Sequence, residues 1–189
     1  MKITVLRFPA DIVHWHLVKS FLLLRKEVFV DKMDWPLFHA DSMEFEQYDT
    51  LTSVYIIAHE DDKVIGGARL VRTDQSQSFG KIVYSYMIRD AYLENLPGLP
   101  PEICSSEPPV DPDVWELTRF TSQDNMWVGR GILERCNEFL KEEGAHECLF
   151  LGPPAFLRMA RTMGYNPKAL GKITGNKDGR FLAFSCDVI

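Results

Sequence analysis

Apolar positions along the chain change rhythm several times, and each change marks an element. Residues 2–7 read as a strand. Val13, Leu17, Phe21, Leu24 and Val28 then recur at helical spacing, with Asp11 placed to cap that helix. Residues 52–59 and 63–72 are rich in β-branched and aliphatic side chains and flank Glu60-Asp61-Asp62, which predicts a hairpin. Gly66-Gly67 inside its second strand predicts a close backbone approach or a kink. Residues 84–94 suit a short helix, and six of the eleven prolines fall between Pro97 and Pro112, which predicts an extended connection. A strand is expected over 114–120 and a helix over 128–142 with Gly144 as its C-cap. Residues 147–151 form the next strand, and Pro153-Pro154 opens a helix through Met163 that Gly164 closes. Two last strands, 168–174 and 180–188, meet at the turn Asn176-Lys177-Asp178-Gly179. This order predicts a single α/β domain over residues 1–189, a mixed central β-sheet flanked by helices.

Several charges sit where the apolar pattern leaves no place for them. In Val114-Trp115-Glu116-Leu117-Thr118-Arg119-Phe120, five of seven residues suit a half-buried strand, yet Glu116 and Arg119 interrupt it. A buried charge needs a partner or a purpose. Regular alternation puts Glu116 and Arg119 on opposite faces, and a bulge, a device common next to active sites, would bring them to one side. Arg69 stands in the middle of the predicted hairpin strand. Arg25 and Phe29 lie four apart, so a cation and a ring project together from the first helix. The connection that follows, residues 30–49, carries Trp35-Pro36, Phe38 and Glu44-Phe45-Glu46-Gln47-Tyr48-Asp49. At about twenty residues it exceeds an ordinary structureless link, the usual mark of a lid or binding loop.

Composition narrows the class without naming a reaction. Over 189 residues, 46% are hydrophobic and 25% charged, as in ordinary globular proteins. The net charge of −6 argues against nucleic acid as a partner. Cys104, Cys136, Cys148 and Cys186 show no metal-ligand spacing and read as reduced thiols, so no metal and a cytoplasmic location are expected. No stretch reaches membrane-spanning length, and the opening residues are too short a run for a secretory signal.

Arg25-x-x-x-Phe29, Trp35, the Glu44–Asp49 run, Gly66-x-x-Arg69-Leu70 and Glu116-x-x-Arg119-Phe120 follow one another in a set order. Together they resemble the signature of the acyl-homoserine-lactone synthases, which make quorum-sensing autoinducers. Residues 158–164 and the closing strands are similar to that family's less distinctive C-terminal half. The resemblance implies a fold like the GCN5-related N-acetyltransferases, with an N-terminal part that binds S-adenosylmethionine and a C-terminal part that binds the acyl donor. It also implies the reaction. The α-amino group of S-adenosylmethionine attacks an acyl thioester, and the methionine carboxylate then displaces methylthioadenosine to close the lactone. S-adenosylmethionine is a substrate, so no cofactor is expected.

That chemistry suits the residue types present. A free α-amino group titrates near 7.7–8.0, so at pH 7 it is mostly protonated and needs a base. Glu116 is the candidate, directly or through water. Backbone N–H groups of a bulged strand suit the tetrahedral intermediate. Arg25 and Arg119 suit the substrate carboxylate, Phe29 and Trp35 the adenosyl or sulfonium end, and Phe120 completes the set. Glu46 and Asp49 are expected to pair with Arg69 and order the long loop.

Where the sequence departs from the family, the expectations change. Glu46 stands where many members have Asp. Where members using 3-oxo chains often carry threonine, the strand after Cys148 reads Phe150-Leu151-Gly152-Pro153-Pro154, so Leu151 and Gly152 become acyl-pocket candidates for a short, branched or aromatic chain. Val128-Gly129-Arg130-Gly131 opens a helix that would present N–H groups to an anion. Arg158, Arg161, Lys168 and Lys172 make a basic cluster for an acidic acyl carrier protein or for the phosphates of coenzyme A, against the alternative of a solvated face. Two rival readings stand beside the synthase: an acyl-coenzyme A-dependent N-acyltransferase on another amine, and a non-catalytic S-adenosylmethionine- or carrier-binding protein.

Overall fold

The computed structural model describes residues 1–123, 126–176 and 179–189. In chain order the elements are β1 (Lys2–Arg7), α1 (Trp15–Arg25), β2 (His39–Ala40), β3 (Met43–Glu44), β4 (Val54–Glu60), β5 (Lys63–Arg72), β6 (Gln77–Phe79), β7 (Ile82–Tyr84), α2 (Met87–Tyr92), β8 (Val114–Ser122), α3 (Met126–Glu142), β9 (Glu147–Gly152), α4 (Pro154–Thr162), β10 (Lys168–Ala169), β11 (Thr174–Asn176) and β12 (Gly179–Asp187). The chain resolves into two compact units, Met1–Leu70 with Arg119–Phe139, and Val71–Thr118 with Leu140–Ile189. Strand β8 passes from the second to the first between Thr118 and Arg119.

In the first unit β1 and β4, and β4 and β5, pair antiparallel. The amphipathic pattern of α1 has a direct outcome: Leu17, Val18, Phe21, Leu22 and Leu24 are buried against Leu6, Tyr55, Ile57 and Val64. Each fully buried side chain of this size contributes about 1.5–3 kcal/mol. Asp11 does not cap the helix. A short 3₁₀ turn at Ile12–His14 intervenes, and the Asp11 carboxylate accepts the Arg7 N–H at 2.8 Å instead. Gly66 and Gly67 do mark close approaches: an added Cβ would lie 2.8 Å from the Thr121 carbonyl oxygen at the first and 2.8 Å from the Phe21 ring at the second. The connection 30–49 is not structureless, since β2 and β3 form a small hairpin within it.

In the second unit β8 runs parallel to β9 from Val114 to Leu117, and β9 is antiparallel to β12. The sheet is therefore mixed. Leu157 and Ala160 of α4 cover Leu182, Phe184 and Cys186, and a second cluster gathers Tyr86, Ile88, Ala91, Ile103, Val114, Leu149 and Ala183. Helices α3 and α4 are followed by Gly144 at φ +77° and Gly164 at φ +91°, the left-handed C-cap geometry that glycine permits. The expected strand over 168–174 breaks into β10 and β11, each antiparallel to β12. Of the turn that joins β11 to β12, Lys177 and Asp178 lie outside the described residues. The hairpin of β6 and β7 was not expected from the sequence. Among the described residues no helix is long and apolar enough to cross a membrane.

Candidate active site

Three arginines and three carboxylates meet inside the first unit. The Arg25 guanidinium donates to Glu44 through Nε and to both oxygens of Asp49, at 2.7 and 2.9 Å. Arg69 reaches Glu46 at 2.5 Å and Asp49 at 2.9 Å. Arg119 reaches Glu46 at 2.6 Å and Glu44 at 3.2 Å. Local structure brings the acids together. Asp41 and Ser42 take left-handed conformations, φ 49° and 65°, so the hairpin of β2 and β3 reverses tightly and returns Glu44 inward. The backbone then turns so that Asp49 Oδ2 accepts the Glu46 N–H at 3.0 Å. Tyr55 from β4 donates its hydroxyl to Asp49 Oδ1 at 2.9 Å, and the Tyr48 ring lies 5.7 Å from the Arg69 guanidinium carbon.

Burial by itself would raise the carboxyls and lower the guanidiniums, but the pairing outweighs it. Glu46 is held below the usual carboxylate range by Arg119 and Arg69, and Asp49 by Arg69 and Arg25. Arg25 is held above its ordinary value chiefly by Asp49, and Arg69 by Asp49 and Glu46. The Tyr55 phenol is pushed up by burial and by Asp49 beside it. Arg25, Arg69, Glu46 and Asp49 are thus held in their charged forms, within a network of three guanidiniums and three carboxylates.

Phe29 and Trp35 adjoin this network. Residues Lys26–Lys32 continue α1 as a π-helix, an irregularity frequent at functional sites. Phe29 and Trp35 stack with centroids 5.3 Å apart and planes at 12°, and the Arg119 guanidinium carbon lies 5.8 Å from the Phe29 ring centre. Phe29 is buried, and Trp35 is half-buried.

Glu116 belongs to the second unit and is 0% exposed. Its two oxygens accept the backbone N–H groups of Met87 and Ile88, at 2.9 and 2.7 Å. These are the first N–H groups of α2, which no side chain of the N-cap residue Tyr86 satisfies, so a carboxylate from a neighbouring strand supplies the cap. Close by, the Tyr86 hydroxyl donates to the Pro109 carbonyl at 2.5 Å, and Arg89 binds the Pro108 carbonyl at 2.7 Å. Burial, with Glu116 adding to it, pushes the Cys104 thiol up to about 11. Three residues along the strand, Arg119 has φ +53°. That left-handed residue interrupts the alternation of β8, and the ladder between β8 and β9 stops at Leu117–Phe150.

The structure redirects several residues singled out in the sequence. Arg25 was expected to take a substrate carboxylate, but its donors go to Glu44 and Asp49 and its side chain is 0% exposed. Arg119 is likewise paired, with 7% of its side chain exposed. Phe120 lies beside Gly129, where an added Cβ would be 3.2 Å from its ring. Gly129 and Gly131 sit inside α3, and the second faces Ile3 at 3.1 Å. Close packing accounts for both glycines, with no anion required. Leu151 and Gly152 end β9, where a Cβ on Gly152 would meet the Phe156 ring at 2.9 Å. Phe156 packs edge-on against Phe150 and Phe184. Arg158, Arg161, Lys168 and Lys172 are exposed, but Lys168 already binds Asp187 at 2.7 Å. Glu44 was not among the expected site residues, although it binds two of the three arginines. Its position two residues before Glu46 in the acidic run was the available signal. Among the described residues no group of three His, Cys, Asp or Glu side chains is arranged to hold a metal ion.

The autoinducer synthase family model matches residues 12–184. The chain belongs to the autoinducer synthase family. Among its relatives, an acyl-homoserine-lactone synthase of Acinetobacter nosocomialis is 26% identical over 168 residues, covering 82% of this synthase and 83% of the relative. One of Ralstonia solanacearum is 27% identical, covering 79% and 71%. Of solved structures, TofI in complex with an inhibitor and MTA superposes at TM-score 0.77 with 25% identity, over 100% of this chain and 92% of that one. BjaI, a CoA-dependent acyl-homoserine lactone synthase with SAM and isopentyl-CoA, superposes at TM-score 0.82 with 19% identity, over 99% and 83%. An acyl-CoA N-acyltransferase of Pseudomonas aeruginosa shares the fold at TM-score 0.59 with 12% identity, over 98% of this chain and 99% of that one. The synthase therefore has the expected mixed α/β, N-acetyltransferase-like architecture.

Proposed function

We propose that the chain is an acyl-homoserine-lactone synthase that transfers an acyl group from a thioester to the amine of S-adenosylmethionine, closes the lactone and releases methylthioadenosine. The observation that carries this reading is the buried six-membered ionic network with the Phe29–Trp35 stack beside it. An enzyme acting on some other amine has no evident need for that assembly. Phe29 and Trp35 offer aromatic surface to the adenosyl and sulfonium end, a cation favoured over ring faces. Arg119 keeps some exposed surface, in contrast to Arg25 and Arg69, which supports its assignment to the substrate carboxylate. Arg25, Arg69, Glu44, Glu46 and Asp49 hold the loop in place.

Glu116 is assigned as the base. Its two oxygens accept the Met87 and Ile88 N–H groups, so proton transfer is assigned to a water relay. The amine nitrogen attacks the thioester carbonyl and expels the thiol. The methionine carboxylate oxygen then attacks the carbon bonded to the sulfonium, and methylthioadenosine leaves with the bonding pair. Leu151 and Gly152, backed by Phe156, are assigned to the acyl chain. The exposed Arg158, Arg161 and Lys172 are assigned to the donor's acidic carrier protein or coenzyme A phosphates.

Purified protein incubated with S-adenosylmethionine and a panel of carrier-protein and coenzyme A thioesters tests the reading by mass spectrometry. Methylthioadenosine and acyl-homoserine lactone are expected together in equal amounts. Thioester consumption by another amine without methylthioadenosine would replace this reading with the general N-acyltransferase.

A further inference from the structure

Residues Lys26-Glu27-Val28-Phe29-Val30-Asp31-Lys32 carry a charge pattern that fits only one helical register. In an α-helix, side chains four apart face one another. That register would set Glu27 against Asp31, two like charges, and would give neither lysine a carboxylate at that spacing. In the π-helix observed here the facing residues are five apart. Lys26 Nζ binds Asp31 at 2.6 and 2.9 Å, and Lys32 Nζ binds Glu27 at 2.8 Å. Both repulsion and pairing therefore select the wider turn. The backbone follows the same register, with the Met33 N–H on the Val28 carbonyl at 3.1 Å, and it ends with the Trp35 N–H on the Phe29 carbonyl at 3.0 Å. That last bond ties the two stacked rings together through the main chain.

We propose that the pairs Lys26–Asp31 and Glu27–Lys32 lock residues 26–32 in the π register and so position Phe29 and Trp35 for the adenosyl end of S-adenosylmethionine, which rests on the function proposed above. The four charged residues are positioning residues and touch no substrate. Their exposure separates this role from one in folding. The side chains of the first pair are 22% and 49% exposed and those of the second 65% and 53%, and exposed pairs contribute little to global stability. A change confined to the site is therefore what their loss should produce.

The test uses the full-length enzyme and compares wild type, Lys26→Met/Lys32→Met, and the reversal K26D/E27K/D31K/K32E, which restores both pairs five apart and again places like charges four apart. Steady-state kinetics is read for both substrates. In the double methionine variant the KM for S-adenosylmethionine is expected to rise roughly threefold to tenfold, the scale of two exposed pairs. Its kcat and its KM for the acyl thioester stay within about twofold, and the reversal returns the KM to near wild type. An unmoved KM for S-adenosylmethionine, a reversal that fails to restore it, or a joint change in kcat and both KM values would overturn the inference. If wild type itself yields no methylthioadenosine with lactone, the proposed reaction falls and this inference with it. Wild-type turnover with an unmoved KM sinks the register inference alone.

Discussion

Replacing Glu44 by glutamine is the sharpest probe of the ionic network. The substitution keeps size and shape but removes one negative charge from a cluster of three arginines and three carboxylates. Glu44 and Arg25 have side chains 0% exposed and Arg119 7%, so solvent cannot take over the lost pairing. Breaking a buried pair from one side costs about 3–5 kcal/mol, because the partner charge stays buried without compensation. For a chain of this size each kcal/mol shifts Tm by about 2–4 °C, so a fall of about 6–20 °C is expected. Urea unfolding followed by circular dichroism should show a lower midpoint at unchanged slope. The double variant Arg25→Met/Glu44→Gln removes one charge of each sign and should be less destabilised than the sum of the single variants by more than about 1 kcal/mol. Additive effects, or a Tm within 2 °C of wild type (under about 1 kcal/mol at that scale), would refute the view that these residues form one balanced cluster.

Three further outcomes follow from the same geometry. Glu46 and Asp49 have folded values below the unfolded carboxylate range, so their stabilisation is full above about pH 5 and is lost as pH falls through those depressed values, below about pH 4; urea midpoints taken between pH 7 and pH 3 should fall steeply only at the acid end, and a flat profile would contradict the pairing. Glu116→Gln leaves one oxygen for the two N–H groups of α2, so stability should drop by about 1–3 kcal/mol and turnover by about 10²–10⁴-fold with S-adenosylmethionine binding retained; undiminished turnover would end its assignment as the base. Gly66→Ala places a methyl 2.8 Å from the Thr121 carbonyl oxygen and 2.9 Å from Ile132, a backbone obstacle that cannot rotate away, so a loss of about 1–3 kcal/mol in thermal denaturation is expected, and a neutral result would mean the backbone yields there.

The large elements were legible because α1 spaces apolar residues at helical intervals and the strands are runs of apolar residues. Leu17, Phe21 and Leu24 bury as the helical spacing requires, whereas Val13 lies before α1 and is exposed, and β4, β5, β8 and β12 are buried along most of their length rather than alternately. What escaped depended on partners distant in sequence. Asp11 looks like a cap, but the intervening 3₁₀ turn moves the helix start and leaves its carboxylate nearer the Arg7 N–H. The π-helix was hidden because the usual test asks for spacings of three and four, and nothing in the apolar pattern announces five. Glu44 entered the sequence reading only as a member of the acidic run Glu44–Asp49, since only the folded chain shows that Arg25 and Arg119 converge on it. Arg25 was given to substrate for the complementary reason: its charge was visible, and the buried carboxylates that consume it were not.

The arginines of the network come from three separate places, the end of α1, the middle of β5 and the second half of β8, whereas all three acids lie within the six residues from Glu44 to Asp49. One short segment therefore pairs the arginines of three separate elements at once, and none of these arginines could remain buried without it. The dependence runs both ways, because a run so acidic has no reason to turn inward unless the arginines are already gathered there. Ordering of the loop and burial of the cations must then be a single cooperative event. Buried ion clusters are seldom more stable than apolar packing of the same volume, so stability alone does not account for this one. Geometry does: the same Arg25 that anchors Glu44 and Asp49 leads directly into the π-helix bearing Phe29, and the same Arg119 that closes the cluster lies over that ring. The cluster fixes where an aromatic surface and a guanidinium stand relative to each other, and in the function proposed above that placement serves recognition of a substrate with a cationic sulfur and an anionic carboxylate.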